Sequence, residues 1–181
     1  MTMLTYIASD HALPQLPNPH EKLLSVNQAL ALGVEVPEIL LADSFDRDRP
    51  DVILVCDRGV EYNVDTGEVC DGDFDDDFAL ISTDGMDDIF TEKKHTVYLE
   101  WNHWTEGRAR RVIDYMRDNL QYTDELEVWH IWMGSGESPL IRSRHISIDD
   151  LNPQHIKKLI ESDVTEEFYD MPIQYRLVIT R

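Results

Sequence analysis

From residue 96 onward the periodicity of the chain changes in one definite order, and that order restricts the fold more than any other feature. Segment 96–101 alternates as a strand, and segment 105–120 places Ala109, Val112, Ile113, Met116 and Leu120 at helical spacing. Segment 126–133 reads as a second strand and 142–148 as a third, joined across Gly134-Ser135-Gly136. Asn152 is a natural N-cap, Pro153 suits the first helical position, and the helix should reach Glu161. Segment 175–180 closes the series as a strand. The string is βαββαβ, the ferredoxin-like order, which predicts an antiparallel sheet in spatial order 4-1-3-2 with both helices on one face.

The first half differs. Dividing the chain at His95 puts 21 acids and 6 bases before it and 15 acids and 10 bases after it, net charges of −15 and −5. Five of the eight prolines also lie in this first half. Segment 3–8 reads as a strand, and Ser25 as the cap of a short helix carrying Val26, Ala29 and Leu30, stopped at Gly33. The run Val52-Ile53-Leu54-Val55-Cys56 has the composition of a strand buried on both faces. Segments 60–64 and 68–70 flank Asp65-Thr66-Gly67 as a hairpin, and 78–82 is a further strand. The fold class expected is therefore α+β. It comprises an acidic, β-rich subdomain over residues 1–95 with one short helix, packed on a ferredoxin-like subdomain over 96–181, in one composite domain.

Composition restricts function. A net charge of −20 disfavours binding along a nucleic-acid backbone, which depends on neutralising phosphates, and disfavours an anionic membrane surface. The N-terminal residues have no basic region followed by a long apolar run, so neither a signal peptide nor a spanning helix is expected, and the cytoplasm is the expected compartment. With 22 Asp and 5 Lys, the acidity also fits a high-salt habitat or mimicry of nucleic acid. Cys56 and Cys70 lack Cys-x-x-Cys spacing and read as small buried hydrophobes. There is no Walker lysine loop, dinucleotide glycine fingerprint, His-Glu-x-x-His pair or Gly-x-Ser-x-Gly elbow.

Candidate chemistry follows from the predicted sheet. Alternation directs Val97, Leu99, Trp101, Trp129, Ile131, Met133, Ile146, Ile148, Leu177 and Ile179 toward the helices. It leaves Tyr98, Glu100, Val128, His130, Trp132, His145, Arg176 and Val178 on the other, open face, a mixed surface of the kind that marks a contact site. A hairpin pairing Met133 with Arg142 would set His130 opposite His145, with Glu100 and Arg176 on the same face. Two imidazoles and a carboxylate so placed are candidates for divalent metal binding or acid/base catalysis, with Arg176 beside them.

Three further features carry less specific chemistry. Trp101-Asn102-His103-Trp104 forms a strand-to-helix corner, where first-turn amides can receive an anion but tryptophans more often pack. Between Asp71 and Asp88 lie eight aspartates and no base; Asp76 stands where an EF-hand needs glycine and Ser82 where it needs glutamate, so no such calcium loop is expected. Arg108, Arg110, Arg111 and Arg117 flank the apolar stripe of the first helix as ion-pair partners for Asp114, Asp118 and the acidic half. The function expected is non-enzymatic binding or regulation, engaging a basic protein surface or a second copy of the chain through the acidic surface or open sheet face. The alternative is a small metal-dependent or acid/base enzyme using His130, His145 and Glu100.

Overall fold

The computed structural model describes residues 3–56, 60–62, 69–71, 74–83, 91–101, 103–132, 140–161 and 173–181. Its secondary structure is mixed α and β. The strands are β1 (Met3–Ser9), β2 (Glu21–Leu24), β3 (Ile53–Cys56), β4 (Val60–Tyr62), β5 (Val69–Asp71), β6 (Ala79–Ser82), β7 (His95–Glu100), β8 (Glu125–Trp132), β9 (Leu140–Ser147) and β10 (Ile173–Thr180). The helices are α1 (Val26–Ala31), α2 (Glu106–Asn119) and α3 (Pro153–Ile160), with a 3-10 turn at Glu38–Leu41. Among the described residues no helix is long and apolar enough to cross a membrane.

The chain divides into two compact units, one of Met1–Pro17 with Phe74–Arg181 and one of Asn18–Asp73. The expected boundary at residue 95 does not follow this division, because β1 and β6 join the same sheet as β7 through β10. In the unit Asn18–Asp73, β2 pairs with β3 and β4 with β5, each antiparallel. The β4–β5 pairing, Val60 with Asp71 and Tyr62 with Val69, has the sense expected of a hairpin; its turn lies outside the described residues. Strand β3 is buried on one side only, with Ile53 buried and Leu54 and Cys56 exposed, which corrects the expectation of burial on both faces. Helix α1 starts as expected: Ser25 and Gln28 form a reciprocal capping box, and Gly33 follows at φ +72°, the left-handed geometry that favours glycine. Val26 and Ala29 anchor it in a small core with Val36 and Ile53.

The larger unit is built on a six-stranded sheet in the order β6-β7-β1-β8-β10-β9. This replaces the ferredoxin-like order 4-1-3-2. Strand β1 lies between β7 and β8, antiparallel to both, and β8 and β9 do not pair at all. Strand β10 occupies the space between them, antiparallel to β8 and parallel to β9. The parallel pair is possible because residues 148–172 are long enough for a crossover, and α3 lies within that connection. The segments were correctly recognised, whereas their pairing required knowing that an N-terminal strand would enter the sheet.

Helices α2 and α3 contribute to one core on one sheet face. Ala109, Val112, Ile113 and Met116 of α2 and Ile156 and Leu159 of α3 cluster with Ile7, Leu80, Val97, Leu99, Leu126, Val128, Leu177 and Ile179. Trp101 and Trp104 pack at its margin, the structural outcome for this corner; Asn102 lies outside the described residues. Thr105 caps α2 by accepting from the Arg108 amide, and Asn152 caps α3 with Pro153 at its start. The opposite face holds a second buried cluster of Tyr6, Ala8, Trp129 and Ile131. The side chains of β8 are therefore reversed relative to expectation: Val128 faces the helices, and Trp129 and Ile131 face away. With Leu126 and Val128 on one side and Trp129 and Ile131 on the other, β8 has no alternation from which to read its sidedness. Because Trp129 and Val178 are 1% and 3% exposed, this face is not the open apolar patch that alternation suggested.

One buried ion pair ties the start of α2 to the turn before β6. Arg108 is fully buried, and its Nη2 meets Asp77 Oδ2 at 3.0 Å. Its Nε donates to the Phe74 carbonyl and its Nη1 to the His103 carbonyl. Asp77 is thus the member of the acidic run that has become internal, while Arg110 and Arg117 make exposed helical pairs with Glu106 and Asp114. Removing only one partner leaves a buried charge uncompensated. Asp77→Ala should therefore lower the unfolding free energy by about 3–5 kcal/mol in denaturant titration, and Asp77→Leu combined with Arg108→Met should recover most of that loss. Equal losses in the single and double variants would contradict this account.

Candidate functional site

The sheet register separates the residues that the sequence brought together. One row crosses the sheet as Leu80, Leu99, Thr5, His130, Tyr175 and Arg142, so His130 faces the helices. His145 pairs with Val178 and that residue with Glu127, which places His145 on the opposite face, where it is exposed. Glu100 shares that second face but sits on β7, four strand spacings from β9, or roughly 19 Å at about 4.8 Å each. Metal–ligand bonds are about 2 Å long, so His130, His145 and Glu100 cannot share a coordination sphere. Among the described residues no group of three His, Cys, Asp or Glu side chains is arranged to hold a metal ion. The predicted convergence is corrected for one reason: β10 stands where the β8–β9 hairpin was expected.

His130 has a different position and chemistry. It is 4% exposed, and its Nδ1 lies 2.9 Å from the Thr5 hydroxyl across the β1–β8 pairing. Burial pushes its pKa down to about 4, and a hydrogen bond with the Ile160 backbone works in the opposite direction without offsetting it. The ring is therefore neutral at pH 7 and has two partners, as a buried polar group requires.

Arg176 belongs to a polar cluster on the other face. Its guanidinium lies 5.1 Å from the Trp129 ring centre, its Nη1 reaches Glu127 Oε1 at 3.4 Å, and its Nε donates to Ser143 Oγ. Glu127, only 7% exposed, also accepts from the Thr91 hydroxyl at 2.6 Å and the Trp129 indole N–H at 2.7 Å. This carboxylate is saturated by neighbours and holds strands and the segment before β7 together.

Two cavities contrast in how their charges are used. The more open one, of about 590 Å³, is lined by Asp10, Lys93, Asp124, Glu125 and Arg181. Lys93 there already bridges Asp10 at 2.9 Å and Glu125 at 2.7 Å, and Arg181 donates to the Leu120, Gln121 and Thr123 carbonyls after α2. The second, of about 170 Å³, lies between β9, β10 and α3 and is walled by Arg142, Arg144, His155, Lys158 and Tyr175. Leu159 and Leu177 add apolar surface to it. Neither Arg142 nor Arg144 makes an ion pair with a described residue, although both are charged and exposed. His155 Nδ1 accepts the Asn152 amide at 3.3 Å as part of the α3 capping box, which leaves its other ring nitrogen to carry the proton of the neutral form. Burial and then the charges of Arg144 and Lys158 hold its pKa below the usual histidine value, against the opposing pull of Asp150.

None of these four basic residues was singled out from the sequence. The signal was present: Arg142-x-Arg144 shares one face of a strand, and His155-x-x-Lys158 shares one face of a helix. What the sequence could not supply was that the two faces meet.

The His130 environment gives a signed pH effect. The unfolded chain protonates this histidine near pH 6.5, whereas the folded chain resists until about pH 4. Its contribution is therefore complete above pH 6.5 and is lost as the pH falls toward 4, amounting to about 3 kcal/mol at pH 4. Chemical unfolding across this range should show a drop of that size in the parent chain that is missing from His130→Gln. Parallel curves would refute the assignment.

No protein-family model matches the chain, and no curated protein or solved structure shows significant similarity to it.

Proposed function

We propose that this protein is a cytoplasmic binding protein that holds its ligand or partner by an anionic group seated between β9, β10 and α3. The observation that carries this reading is charge segregation. In a chain of net charge −20, three permanent cations line one small cavity, and its two arginines are not consumed by described carboxylates. Surplus acidity elsewhere would ordinarily draw such arginines into surface pairs, as it does at Arg117 and Asp114. The same acidity repels an extended polyanion, so the geometry favours one compact anionic group over a nucleic-acid backbone. The binding and regulatory reading thus retains its class, with the contact moved from the sheet face to this pocket.

A second reading keeps the acidic surface as the contact for a basic protein. Exposed Glu35, Glu38, Asp43 and Asp51 in the unit Asn18–Asp73 favour it. The two readings separate in one nuclear magnetic resonance titration of the whole chain. Acetate, sulfate and phosphate should perturb amides of residues 142–144, 155–159 and 175–177, less strongly as sodium chloride is raised. A Lys/Arg-rich peptide that perturbs only residues 18–56, with no response to any of the three anions, would replace the first reading with the second.

A further inference from the structure

The pocket's donors are unequal to an arbitrary anion, and their number and placement select a chemical class. Arg142 and Arg144 are two residues apart on β9, so they extend from the same sheet face about 6.6 Å apart along the strand. His155 and Lys158, three residues apart, present from one face of α3. Tyr175 pairs in register with Arg142, and Leu177 with Arg144, so β10 adds a phenol and an aliphatic side chain to the same cavity. We infer that the pocket takes the terminal phosphate of a small organic phosphomonoester. This rests on the reading of the pocket as an anion site and names the ligand for it.

Charge and donor count both favour phosphate over carboxylate. A carboxylate has one negative charge and two oxygens, and would leave two of the three cations uncompensated. A phosphomonoester dianion has two charges and three terminal oxygens, enough to accept donors from strand and helix together, and arginine forks match its geometry. His155 contributes a donor without a fourth charge, because the Asn152 amide occupies its Nδ1.

Size sets the remainder of the ligand. The cavity's roughly 170 Å³ exceeds one water's share of about 30 Å³ and falls short of the about 300–1,000 Å³ of sites that enclose drug-sized molecules. It therefore suits a phosphate with a short carbon chain, whose apolar part would lie against Leu159, Leu177 and the Tyr175 ring. A chain of linked phosphates would bring further negative charge against the acidic remainder of the protein, whereas a single terminal phosphate avoids that repulsion.

The test is calorimetric titration of the full chain, at fixed ionic strength and pH 8, with propyl phosphate, inorganic phosphate and butyrate. Propyl phosphate should bind roughly tenfold or more tightly than butyrate, since charge-assisted hydrogen bonds are worth about 1.5–3 kcal/mol each. It should also bind more tightly than inorganic phosphate. Arg142→Gln and Arg144→Gln should each weaken propyl phosphate roughly tenfold with unchanged thermal stability, and Arg110→Gln on α2 should leave binding unchanged. Butyrate binding as well as propyl phosphate overturns the phosphate assignment while leaving the anion site intact. Equal binding of inorganic and propyl phosphate overturns the organic ester in favour of free phosphate. No binding of any of the three overturns both this inference and the reading beneath it.

Discussion

Strand β1 is the constraint on which the larger unit depends. Without it the sheet would separate into β6–β7 on one side and β8–β10–β9 on the other, because no other strand bridges β7 and β8. Its residues face two ways at once. Ile7 enters the helix-side core, while Tyr6 and Ala8 enter the cluster with Trp129 and Ile131. Thr5, one row away, supplies the hydroxyl that meets His130. A strand of seven residues thus joins two hydrophobic clusters and satisfies a buried imidazole, which a strand buried on both faces can do only in a central position.

The cations of this acidic chain have distinct physical uses. Arg108 is internal, neutralised by Asp77 and held by two carbonyls, and so joins the start of α2 to the turn preceding β6. Arg176 stacks on Trp129 and meets the buried Glu127. Lys93 and Arg181 tie the end of α2 and the start of β8 to neighbouring segments. Arg142 and Arg144, on the edge strand β9, have no described ion-pair partner, and this contrast distinguishes the pocket from the structural charge pairs.

Local structure was legible wherever a local physical rule governs it. The caps at Ser25, Thr105 and Asn152 identify helix starts because their side chains bond amides within the same turn. The stripe of α2 was visible because one of its faces is buried and the other is not. Strand β8 was located but not oriented, since apolar residues occupy both of its faces. The proposed site was less legible than the fold. His130, His145 and Glu100 were chosen from an assumed hairpin register, and a single intervening strand placed the histidines on opposite faces of the sheet.

Sequence alone determined the elements, their near boundaries, the capping residues and the acidic excess, because these depend on neighbours a few residues apart or on simple composition. Tertiary structure decided strand order, the sidedness of β8 and the meeting of Arg142 and Arg144 with His155 and Lys158. Those outcomes depend on pairings between residues distant in the chain. Strand hydrogen bonding is nearly indifferent to side-chain identity, so what selects one pairing over another is the joint burial of both sheet faces, a property of the assembled sheet.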